Sequence, residues 1–131
     1  MAKRKSTATR RPQPKAIRVY HGTTRPAAAA IERDGFKDTT GSYLTVNRYT
    51  GVWVSNTPLD VNDTSREYDG DSYFAIDVEE RVIARFEWIE EGKPYREWLV
   101  PAAVLNALPR VRLTEEEYWE ISQARFFPSR R

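Results

Sequence analysis

The chain has 131 residues, 40% hydrophobic and 31% charged, with no cysteine and one histidine. That gives room for one domain and a modest core; no stretch approaches the roughly 20 consecutive apolar residues of a membrane span, and the basic N-terminus lacks the apolar core of a signal peptide, so a cytoplasmic protein is expected. Disulfides, thiolate nucleophiles and cysteine-ligated zinc drop out with cysteine, and one imidazole plus carboxylates is a poor zinc set, so no metal is expected.

The net charge of +2 conceals an asymmetry. Residues 1–18 hold seven basic groups and no acid, and Arg125, Arg130 and Arg131 close the chain, leaving a body of 11 basic against 19 acidic residues. An acidic body does not spread a phosphate-binding surface over the fold. Residues 1–15 mix Lys, Arg, Ser, Thr and Pro with almost nothing to bury, and read as a disordered basic arm. The arm is either a solubilising tail or an electrostatic tether to nucleic acid or another polyanion. The domain then spans 16–126, with a basic tail over 127–131.

Ile17-Arg18-Val19-Tyr20 alternates as a strand and runs into His21-Gly22-Thr23-Thr24. Pro26 suits the first turn of a helix capped by Thr24, and the helix formers from Ala27 to Arg33 end at Gly35. Residues 37–50 are polar without a clear period and read as a loop, with a short strand near Tyr43-Leu44-Thr45-Val46. Gly51-Val52-Trp53-Val54-Ser55 is the next strand, and Thr57-Pro58 opens a short helical segment reaching Tyr68 before Asp69-Gly70-Asp71 breaks it. Ser72 to Val78 and Val82 to Ile89 alternate as two antiparallel neighbours joined by a turn at Glu79-Glu80. A strand from Tyr95 to Val100, a helical turn from Pro101 to Ala107, and a strand from Arg110 to Leu113 follow. Thr114 with Glu117 three residues on is a capping box for a last helix towards Ala124. The expected fold is a single α+β domain, a mostly antiparallel, split β-sheet with a few short helices.

A lone histidine is commonly a hydrogen-bonded structural residue, but His21 ends a strand and precedes a glycine whose bare backbone lets a ligand approach. Such a turn offers main-chain groups to a planar amide and an imidazole to a neighbouring hydroxyl. Trp53 and Tyr68 are aromatics that serve either the core or a pocket. Glu97 lies inside a predicted strand between Arg96 and Trp98, where a carboxylate needs solvent or a purpose.

Tyr20-His21-Gly22-Thr23, with a helix opening at Pro26 and closing at Gly35-Phe36, resembles the first motif of the ADP-ribosyltransferases of the His-Tyr-Glu type, the diphtheria-toxin and poly(ADP-ribose) polymerase group. Gly51-Val52-Trp53-Val54-Ser55 is similar to the family's second motif, with Trp53 where the family has Tyr. Ser65-Arg66-Glu67-Tyr68 fits its Ser-x-x-Tyr, and Glu97-Trp98-Leu99-Val100 is similar to its third motif. The resemblance covers residues 17–101, with a longer segment between Ser55 and Ser65 than the family has. It implies an enzyme that takes NAD as substrate, splits the nicotinamide–ribose bond and passes ADP-ribose to a protein or nucleic-acid acceptor, without a metal. By the same resemblance Gly22 and Ser65 would hold the nicotinamide carboxamide with Thr23 beside them, and Trp53 and Tyr68 would flank the ring. His21 would bond a ribose hydroxyl, and Glu97 would bond the ribose 2′-hydroxyl and offset the developing positive charge. Two rivals stand beside this reading: an RNA 2′-phosphotransferase, against which the short chain, the single histidine and Glu97 argue, and a non-enzymatic binding module of the same fold.

Overall fold

A computed structural model describes residues 15–42, 48–58 and 72–126, the side chains of 40–49 and 125–126 excepted. Seven strands alternate with short helices: β1 (Ala16–Thr23), α1 (Arg25–Asp34), β2 (Thr39–Ser42), β3 (Arg48–Ser55), β4 (Ser72–Glu79), α2 (Glu80–Ile83), a 3₁₀ turn (Ala84–Phe86), β5 (Glu87–Trp88), β6 (Glu97–Val100), α3 (Ala102–Asn106), β7 (Arg110–Arg112) and α4 (Glu115–Phe126). The sheet runs β5-β6-β3-β1-β4-β7, with β2 paired to β3, and every pairing is antiparallel. The chain is thus a small α+β domain, as the sequence implies.

Strands β1 and β4 form the longest ladder, eight residues from Ala16 opposite Glu79 to Thr23 opposite Ser72. Strand β4 is buried along nearly its whole length because both of its faces are covered. On one face Val19, Phe74 and Ile76 pack with Ala28 and Ile31 of α1 and with Ala102 and Leu105 of α3. On the other, the Tyr73 ring stacks on Tyr118 of α4, with centroids 4.6 Å apart. Burying each large aliphatic in the shared core contributes about 1.5–3 kcal/mol.

The helix ends follow their sequence signals. Thr24 Oγ1 accepts a bond from Ala27 N, Pro26 sits in the first turn of α1, and Gly35 N donates back to Ile31 O with a φ of 87° that favours glycine. A Cβ on Gly35 would lie 2.9 Å from Asn106 Oδ1, so the residue is also fixed by the neighbouring helix. At α4, Thr114 N donates to Glu117 Oε1 and Glu117 N donates to Thr114 Oγ1, a closed capping box.

Three expectations change. The stretch 37–50 is not a plain loop: Thr39–Ser42 pairs with Arg48–Gly51 as a hairpin whose strands carry no apolar alternation to betray them, while the strand suggested at 43–46 lies outside the described residues. Val82 to Ile89 is not a strand beside β4. Ile83 is wholly buried while Val82 is 41% exposed, because the chain turns through α2 and the 3₁₀ turn, leaving only Glu87 and Trp88 as strand, paired to β6. Finally, β6 starts at Glu97 rather than Tyr95. The helical segment expected after Pro58, with Ser65 and Tyr68, and the two basic ends, 1–14 and 127–131, fall outside the described residues. Among the described residues no helix is long and apolar enough to cross a membrane, and no group of three or more His, Asp or Glu is placed to hold a metal ion.

Candidate active site

Strands β1 and β3 lie side by side, yet their registered pairing is the one couple Tyr20 and Ser55. Beyond it the ladder gives way to a side chain. The Nδ1 of His21 lies 2.9 Å from Trp53 O, and because a carbonyl oxygen only accepts, Nδ1 is the protonated nitrogen and Nε2 the acceptor. Burial holds the imidazole below the ordinary histidine pKa, against the opposing effect of that backbone bond, so the ring is neutral at neutral pH. Phe36 meets the ring edge-on at 5.4 Å and packs in turn on Phe74.

Phe36 is held from the far side by α3. Asn106 Oδ1 accepts from Phe36 N at 2.8 Å and Asn106 Nδ2 donates to Phe36 O at 2.9 Å, while Asp38 Oδ1 accepts from Ala102 N at 2.7 Å. The segment after α1 is thereby clamped to α3. A cavity of about 230 Å³ opens between it and β3, lined by His21, Thr23, Phe36, Lys37, Thr39 and Trp53 among others. That volume suits one ring or one sugar and falls below the range for a whole drug-sized ligand.

Directly opposed residues of antiparallel strands share a face, and successive residues alternate. Ser55 faces Tyr20 on one side and Glu97 on the other, so Tyr20, Ser55 and Glu97 form one row across three strands. Gly22, Trp53 and Trp88 belong to that same face by alternation and by the pairing of Trp88 with Glu97. His21, Thr23 and Val52 belong to the opposite face. His21 and Thr23 line the cavity, and Trp53 reaches it although its ring packs on Trp88 of the other face; Glu97 does not line it and lies two strands from His21, about 10 Å at the usual strand spacing.

Glu97 is 1% exposed. Its Oε1 accepts a 2.5 Å bond from Lys93, whose side chain is 11% exposed and also reaches Glu90 Oε1 at 3.0 Å. Gly92, with a φ of 80°, turns the chain so that Lys93 comes back over β6. Arg96, adjacent in sequence, points away from Glu97: it bonds Glu87 with two nitrogens and Glu80 with one, and lies 4.9 Å from the centroid of the Trp98 ring. Beside Glu97 on its face, Trp88 meets Trp53 edge-on at 5.4 Å. Gly51 lets these strands meet, since a Cβ there would be 3.2 Å from Val100 O.

Lys93, Trp88 and Asn106 are absent from the sequence-based site. Trp88 reads as one more strand aromatic, and Lys93 lies four residues before Glu97, a spacing that signals contact on a helix but not in a turn. Comparison with models of known protein families, with curated proteins and with solved structures finds no match for this chain.

Proposed function

We propose that the chain is an NAD-dependent ADP-ribosyltransferase, with the cavity lined by His21, Thr23, Phe36 and Trp53 as its substrate cleft. The observation that carries this reading is the His21 bond to Trp53 O, which leaves a neutral Nε2 acceptor beside a sugar-sized cavity. A ribose hydroxyl donates to His21 Nε2, and Glu97, 1% exposed and bonded by Lys93, must come within reach of the reacting ribose as the dinucleotide binds. The cavity takes one ring or sugar, so the rest of the dinucleotide lies over open surface.

In this reading nicotinamide leaves with the electron pair of its bond to ribose C1′. The Glu97 carboxylate, accepting from the 2′-hydroxyl, offsets the positive charge that develops on the ring. The acceptor's nucleophile, on a protein or a nucleic acid, bonds to C1′ and gives its proton to Glu97. Trp53 and Trp88 wall this side, and Gly22 offers its main chain to the carboxamide.

The test is nicotinamide release by the full chain and by Glu97→Gln. A carboxylate acting on the transition state predicts a fall in kcat of roughly 10²–10³-fold, with NAD affinity kept within about threefold. Full turnover in Glu97→Gln, or no release from the intact chain with added protein and RNA acceptors, refutes the proposal.

A further inference from the structure

The Glu90–Lys93–Glu97 cluster lies on the face of the sheet away from the His21 cavity, and nothing in the family resemblance accounts for it. We infer that Lys93 is the positioning residue of the site, aiming the Glu97 carboxylate and supplying the counter-charge that lets it work while buried. The inference rests on the transferase reading. Its basis is geometric: a carboxylate 1% exposed, an ammonium 11% exposed within bonding distance of it, and a second carboxylate, Glu90, holding the ammonium from the other side.

Three features make this more than a surface ion pair. Removing one partner of a buried pair leaves an uncompensated charge, which is far costlier than losing an exposed pair. The more natural partner by sequence, Arg96, bonds Glu80 and Glu87, and Lys93 is the cation that bonds Glu97. The lysine is also itself confined: its Nζ lies over the Tyr95 ring, 5.3 Å from the centroid, and Gly92, with its positive φ, precedes it in the turn. Burial lowers the Lys93 pKa, but Glu97 and Glu90 together raise it by more, so the ammonium stays charged through the neutral range.

Ser55 of β3 and Trp88 of β5 stand opposite Glu97 in register, and Lys93 bonds it from the turn before β6. Without Lys93 the carboxylate loses the ammonium bond that holds its Oε1 in place.

The experiment uses the full chain and Lys93→Met, with Lys93→Arg as charge rescue. Lys93→Met should lower kcat for nicotinamide release at pH 7 about tenfold or more and leave KM for NAD within about threefold; Lys93→Arg should return kcat to within about threefold of the parent. Where Lys93→Met does not fold, Lys93→Gln, which keeps a donor but no charge, carries the same expectations. A folded variant whose kcat stays within about threefold of the parent, or whose loss Lys93→Arg does not restore, overturns the inference. A parent that releases no nicotinamide refutes the transferase reading instead.

Discussion

Asn106→Ala tests whether the clamp on Phe36 supports the site from a distance. Phe36 is 3% exposed, and its N–H and C=O are bonded by the two ends of one amide, at 2.8 and 2.9 Å. Alanine at Asn106, the last residue of α3, leaves the helix in place but strands a buried donor and a buried acceptor. Each unsatisfied group costs about 1–3 kcal/mol, so the variant should lose about 2–6 kcal/mol of a stability that for such domains totals roughly 5–15 kcal/mol. For a domain of this size the melting temperature falls by about 4 °C per kcal/mol, giving a drop of roughly 8–24 °C in a calorimetric scan. Because Phe36 abuts His21, affinity for NAD should weaken as well in the remaining folded protein. A drop below about 2 °C would show that water replaces the amide, and the claim that α3 braces the cavity would be wrong.

His21→Ala should fold and should weaken NAD binding, since the proposed role of the ring is to bond a ribose hydroxyl; loss of the folding transition without NAD would make it a core residue instead. Folding holds the His21 pKa below its ordinary value of 6.5, so the stability tied to its neutral form is complete above that value and is lost as the pH falls below it. Denaturant melts between pH 5 and 8, a range chosen to bracket the ordinary histidine value, should therefore slope more steeply in the parent than in His21→Ala. Deleting residues 1–14, which spares Lys15 and its backbone bond to Glu80 N, should leave NAD cleavage intact and weaken nucleic-acid binding that falls steeply with salt; a salt series that shows no change on deletion reduces the arm to a solubilising tail.

What the sequence revealed of this fold is chiefly its local chemistry. Thr24, Pro26 and Gly35 mark both ends of α1, and Thr114 with Glu117 marks the start of α4, because capping is decided by side chains three or four residues from the backbone they serve. Strand β4 was legible from the alternation read over Ser72 to Val78, although the structure buries both of its faces. The hairpin of β2 and β3 was not, since its pairing depends on backbone bonds and a partner strand rather than on any periodicity of its own. Alternation misled at Val82: a period of two puts Val82, Ala84, Phe86 and Trp88 on one face, whereas the turn of helix buries Ile83 and leaves Val82 exposed. Of the site, His21 and Glu97 could be singled out as polar residues in apolar strands, but their separation onto opposite faces is a matter of register across β1, β3 and β6, which no local pattern encodes. Lys93 and Asn106 owe their roles to tertiary contacts alone.

The β1–β4 ladder carries a consequence for how the protein comes to exist. Its partners are 49 to 63 residues apart in sequence, from Thr23 with Ser72 to Ala16 with Glu79. Strand β1 thus has no neighbour it can find early, and loop-closure entropy must be met before its pairing returns anything. The local units, α1 with its caps and the β2–β3 hairpin, can form first, on the microsecond scale of helices and hairpins. His21 acquires its surroundings only when Trp53, 32 residues on, and Phe74, opposite it in the ladder, have both arrived. A chain still emerging from the ribosome therefore carries no assembled site until β4 is out, and refolding should proceed in milliseconds to seconds, with the His21 environment among the last to be completed.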